Sequence, residues 1–193
     1  MSINFLLKTN KQNLTSILEE TLETNAEQIS IASKELYSCL KQNGTVFWCG
    51  NGGSAAEASH LATELIGRFK SNRRPLPSIS LNSDMSSMSC IANDFGYQHV
   101  FSRQIEGLGK KNDLLVVLST SGTSENICEA LKQARKMGIY SIALLGKTGG
   151  NAKDLANVSV VIPSHVTAHI QETHLFIGHT LCEFAEKELG LSN

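Results

Sequence analysis

At Asn43-Gly44 the hydrophobic pattern of this chain changes period, and that change leaves few folds open. Before it, residues 12–42 place Leu14, Ile17, Leu18 and Leu22, then Ala26, Ile29, Leu36 and Leu40, at steps of mostly three and four, the spacing of a helical face. After it, short apolar runs at 45–49, 78–81, 114–118, 139–145 and 157–162 alternate with helical patterns at 54–68, 84–92, 98–108, 125–137 and 169–189. The short runs, bounded by Gly, Asn, Ser or Pro, predict strands. Strands alternating with helices predict a parallel sheet covered on both faces, and an unbroken run such as Leu114 to Leu118 suits a strand buried on both sides. The expected architecture is an α/β three-layer sandwich around a parallel sheet of about five strands, one domain over 1–193, with N-terminal helices in 1–43 and the core and last helix in 44–193.

Composition narrows the function classes. The chain has 17 Lys and Arg against 18 Asp and Glu, a net charge of −1, so it lacks the basic footprint of a nucleic-acid binder. Charged residues are 18% of the chain, below the roughly 25% of average soluble domains. Part of the surface is therefore expected to meet other subunits rather than water. Five cysteines form no C-x-x-C pair and mostly lie in apolar runs, which predicts buried thiols in a reducing compartment. No leader pattern opens the chain and no window approaches ~18 uncharged apolar residues, so the expectation is a cytoplasmic protein without a membrane partner.

In a sheet of this kind ligands bind at the carboxyl ends of strands, and two of the loops there are chemically unusual. Gly50-Asn51-Gly52-Gly53-Ser54 follows the first strand, and Ser54-Ala55-Ala56-Glu57 has the S-x-x-E form of a capping box, predicting a helix start at Ser54. It is neither a Walker A loop nor a dinucleotide fingerprint, since no Lys-Ser or Lys-Thr follows and Ala55 stands where the last glycine belongs. The second loop, Ser119-Thr120-Ser121-Gly122-Thr123-Ser124, brings five hydroxyls to a helix start, where one hydroxyl suffices for a cap. Those hydroxyls, backbone N–H groups and the helix dipole predict a phosphate cradle that needs no lysine.

Farther along the helical pattern 54–68, His60 and Glu64 stand four apart on one face among Leu61, Leu65 and Ile66, an arrangement suited to a divalent ion. The last helix carries Gln171, His174 and His179; the two histidines, five apart, diverge. His99, His165 and His169 read as surface or capping residues.

These two loops resemble those of the sugar isomerase (SIS) domain, whose members bind phosphorylated sugars. Within residues 30–190, GNGGSAAEASHLATELIGRF (50–69), IANDFG (91–96), LSTSGTS (118–124) and IQETHLFIGH (170–179) are similar to the phosphoheptose isomerases. The resemblance implies a flavodoxin-like SIS fold, usually as a homotetramer. It implies metal-assisted conversion of sedoheptulose 7-phosphate to D-glycero-D-manno-heptose 7-phosphate through an enediol, for lipopolysaccharide precursors. It further implies zinc held by His60, Glu64, Gln171 and His179, with Glu64 as base and His179 as its acid/base partner. Phosphate would lie at Ser119, Thr120, Ser121 and Ser124, and the sugar would meet Asn51, Gly52, Gly53, Glu64, Asn93, Asp94 and Gln171. Gln171 and His179 are eight residues apart, about 12 Å along a helix axis, so one ion between them requires extended side chains or completion across a subunit boundary. His169 stands where the family often has arginine. Non-catalytic relatives associated with a replication initiator share the fold but lack the catalytic side chains, whereas Glu64 and His179 are both present here; other SIS isomerases and sugar-phosphate sensors generally lack the metal quartet.

Overall fold

The structure is a computed structural model and describes residues 2–191. Two helices, α1 (Ile3–Thr24) and α2 (Ala26–Lys41), precede β1 (Val46–Gly50) and α3 (Gly53–Ile66). Next come β2 (Ser78–Ser80), α4 (Met85–Phe95), a 3-10 turn (Tyr97–His99), α5 (Ser102–Leu108) and β3 (Leu114–Ser119). The chain continues with α6 (Glu125–Met137), β4 (Tyr140–Gly146), α7 (Ala152–Leu155), β5 (Val158–Ile162) and α8 (Thr167–Glu188). All strand pairs are parallel, in the order β2-β1-β3-β4-β5. This is the expected three-layer sandwich, with the doubly wound order whose switch point lies between β1 and β3.

Alternation along the strands sorts the core into two layers. Val46, Trp48, Leu114, Val116 and Leu118 pack under α2, α3 and α8, while Phe47, Cys49, Leu115 and Val117 pack under α5 and α6. Both sets are essentially excluded from water, which is why these strands are apolar throughout. At one sheet edge, Asn25 closes the ladder: its Nδ2 donates to the Val161 carbonyl at 3.2 Å and its Oδ1 accepts from the Val161 N–H at 3.0 Å. That side chain also marks the break between α1 and α2, the N-terminal helices expected in 1–43, which begin at Ile3, ahead of the periodic stretch 12–42.

Other expectations change in detail. The helix expected over 98–108 is a 3-10 turn followed by α5. α7, at four residues, is too short to show a period. α3 begins at Gly53, with Gly52 at φ +57 as its cap and no side-chain cap bond, so the predicted capping box does not form. Glu57 is instead buried.

Candidate active site

The glycine loop and the hydroxyl loop meet at the switch point. Asn51 and Asn126 join them through a reciprocal amide pair: Asn51 Nδ2 donates to Asn126 Oδ1 at 2.9 Å, and Asn126 Nδ2 donates to Asn51 Oδ1 at 2.8 Å. Asn51 Oδ1 also accepts from the Tyr97 hydroxyl at 3.1 Å. The Asn51 side chain, expected to meet a ligand, is thus largely occupied in fixing the loop. Asn126 and Tyr97 were not legible as site residues, because their value lies in a partner 75 and 46 positions away.

The hydroxyl loop folds around Gly122 at φ +66, where an added methyl would collide with the Gly149 carbonyl. Ser119 Oγ accepts from the Gly122 N–H at 3.0 Å, and Ser121 Oγ accepts from the Thr123 N–H at 3.2 Å. Ser124 occupies the N-cap position of α6 but makes no side-chain cap bond, so its hydroxyl is not consumed by capping. Asn51, Gly53, Ser119, Thr120, Ser124 and Gln171 line a cleft of about 160 Å³. That is smaller than the ~300–1,000 Å³ of a whole small-molecule pocket, so the cleft suits one anionic end of a longer ligand. A larger groove of about 510 Å³ lies beside Arg103 and Lys132, away from these loops.

Two turns along α3 from Gly53, a second group assembles. His60 Nε2 and His179 Nε2 are 2.9 Å apart, His60 Nε2 is 3.2 Å from Glu64 Oε1, and His179 Nε2 is 4.0 Å from the same oxygen. Their ligand atoms all lie within 4.8 Å of one another. Donors about 2.1 Å from a tetrahedral ion stand about 3.4 Å apart, a value the measured separations of 2.9, 3.2 and 4.0 Å bracket. Two imidazoles and a carboxylate therefore fit a divalent ion such as zinc. Burial, then the neighbouring His60, hold His179 below the ordinary imidazole range, with Glu64 opposing. Phe69, another residue sequence reasoning missed, stacks on the His179 ring at 5.4 Å between centroids and 10° between planes.

The other expected site residues are distributed less tightly. The Gln171 amide packs against Gly53, at the hydroxyl-loop end of α8, eight positions before His179. Asn93 and Asp94 lie exposed in the last turn of α4, where Asn93 Nδ2 donates to Asp94 Oδ1 at 2.7 Å, and they do not line the cleft. His165 is exposed, but His169 is buried beneath the start of α8 rather than at the surface. Four cysteines are buried, and Cys90 is exposed.

Residues 11–146 match the SIS domain family. The chain is 47% identical over 169 residues to the phosphoheptose isomerase of Nitratiruptor sp., covering 88% of this chain and 90% of that protein. Its structure is similar to that of a phosphoheptose isomerase from Francisella tularensis, with a TM-score of 0.91 and 33% identity over 97% of this chain and 100% of that one. The structure of phosphoheptose isomerase GmhA from Neisseria gonorrhoeae matches with a TM-score of 0.89 and 33% identity, over 96% of this chain and 100% of that one.

Proposed function

The chain belongs to the phosphoheptose isomerases of the SIS domain family, and we propose that it interconverts sedoheptulose 7-phosphate and D-glycero-D-manno-heptose 7-phosphate, a precursor of lipopolysaccharide heptose. The observation that carries this reading is the pairing of two half-sites along one helix. An anion cradle lies at Gly53 and an acid–base cluster at His60, Glu64 and His179, separated by about 10 Å of helix rise. An extended sugar phosphate bridges that span, with its phosphate at one end and its C1 and C2 at the other.

The hydroxyls of Ser119, Thr120, Ser121 and Ser124, with the α6 N-terminus, hold the phosphate. Backbone N–H groups at Gly52 and Gly53 meet sugar oxygens, as does the Gln171 side chain, while Asn51 holds the loop in place and Asn93 and Asp94 stand outside the cleft. The Glu64 carboxylate removes a proton from C1 and returns it to C2, while His179 passes a proton from the C1 hydroxyl to the C2 oxygen. His60, Glu64 and His179 would hold a zinc ion, with Gln171 as the fourth donor of the expected set. Such an ion, when bound, supplies polarisation of the sugar oxygens. Low charge and exposed apolar side chains support a homotetramer, and unpaired cysteines support a cytoplasmic setting.

Turnover of sedoheptulose 7-phosphate by purified protein with zinc tests the proposal. Glu64→Gln and His179→Gln should each lower kcat by about 10²–10⁴-fold. A wild-type rate no higher than that of the variant carrying both Glu64→Gln and His179→Gln would overturn the assignment.

A further inference from the structure

After α3 the chain turns back on itself, and one buried guanidinium holds that turn. Arg73 Nη2 donates to the Glu64 carbonyl at 2.6 Å, and Nη1 donates to the carbonyls of Leu65 at 2.8 Å, Gly67 at 3.3 Å and Arg74 at 2.9 Å. Its Nε donates to Glu186 Oε1 at 2.6 Å, and both side chains are 1% exposed. Glu186, two turns beyond His179 on α8, also accepts from the backbone N–H groups of Phe69 and Lys70 at 3.2 and 3.3 Å. Phe69 is the ring stacked on His179. One ion pair therefore grips the helical turn that carries Glu64, the helix that carries His179 and the ring lying on His179.

Stability alone is a poor account of this arrangement. A buried ion pair loses hydration on both partners, and apolar residues of similar volume commonly stabilise a fold as well or better. Nor does closing a helix C-terminus require a charged group, since backbone N–H bonds commonly do so; here the Gly67 N–H already reaches the Thr63 carbonyl at 2.9 Å. What the pair adds is a fixed geometry: a planar fork with several donors holds carbonyls of α3 while its counter-ion belongs to α8.

We propose that Arg73 and Glu186 are positioning residues for the acid–base cluster, setting the Glu64 carboxylate and the His179 imidazole relative to one another. The proposal rests on the functional reading given above. Neither residue lines the phosphate cleft, so their loss should act on the chemical step and on metal affinity while leaving phosphate anchoring in place.

The test uses the full chain with three changes. Arg73→Lys keeps the charge but not the fork. Arg73→Met combined with Glu186→Leu removes both charges, so that neither is left buried alone. Leu131→Ala, a buried core position on the opposite sheet face, serves as a purely destabilising control. The measurements are thermal midpoint, kcat and KM for sedoheptulose 7-phosphate, and zinc affinity by competition with a chromophoric chelator. Arg73→Lys and the double variant should fold, lose about 10- to 100-fold in kcat and in zinc affinity, and keep KM within about threefold. Leu131→Ala should lower the thermal midpoint with kcat and zinc affinity unchanged. Wild-type kcat and zinc affinity in both positioning variants, or equal losses in the Leu131 control, would overturn the proposal. If the wild type has no turnover, the functional reading fails and zinc affinity alone decides this one; a wild type with neither turnover nor zinc binding overturns both.

Discussion

Glu57 on α3 and His174 on α8 are buried without a hydrogen-bond partner for any of their side-chain nitrogen or oxygen atoms. Burial pushes the Glu57 carboxyl up to about 7 and pushes the His174 imidazole down to about 4. His174 takes up a proton near 6.5 when unfolded but only near 4 when folded, so its contribution to stability is present above 6.5 and lost as pH falls through 4. The shift corresponds to about 3 kcal/mol. Glu57 has the opposite sign: its contribution is full below 4.5 and is lost as pH rises through 7. Denaturant midpoints followed from pH 7 down to 4 should therefore fall more steeply for the wild type than for His174→Leu. Parallel curves would reject the buried-imidazole account. Neither burial was legible beforehand, because the S-x-x-E spelling at Ser54 to Glu57 also describes a surface cap, and nothing in the local sequence marks that glutamate as buried.

The strands were legible to within a residue at each end: in β1, β3 and β4 burial on both faces forces a continuous apolar run, while the edge strands β2 and β5, buried on one face, were marked by their bounding turn residues. Helix boundaries were less so. The apolar stripe of residues 12–42 continues through the α1–α2 break, and what ends α1 is Asn25, whose side chain finds its partners on β5. That contact satisfies an N–H and a carbonyl on an edge strand, where unpaired backbone groups invite further strands. Asn25→Ala should cost about 1–3 kcal/mol, measured as a drop in thermal or denaturant midpoint. An unchanged midpoint would show that water replaces the amide without loss. Within the site, the two loops and the His60–Glu64 pair were readable because their chemistry is local. The Asn51–Asn126 clamp and the Phe69 stack were not, because each is created by the crossover that brings distant segments together.

Among the described residues no helix is long and apolar enough to cross a membrane, yet apolar side chains lie open to solvent. Ile3, Phe5 and Leu7 on α1 are 67%, 58% and 62% exposed, and Met85 on α4 is 73% exposed. Their number agrees with the low charge of the sequence and supports subunit contacts. Sedimentation equilibrium should give a mass near four times the 20.9 kDa of one chain; a monomer at micromolar concentration would exclude the tetramer. The order of elements along the chain has a consequence for biosynthesis. β1 cannot gain its central neighbour until β3 has been translated, a long-range pairing of the kind that slows folding. The hydroxyl loop follows directly on β3, but Gln171, His179 and Glu186 arrive only with α8, after every strand. A nascent chain that has completed its sheet would still lack one wall of the cleft, the Glu64 partner His179 and the apolar cover of one sheet face, and a protease cut ahead of Thr167 would remove all three at once.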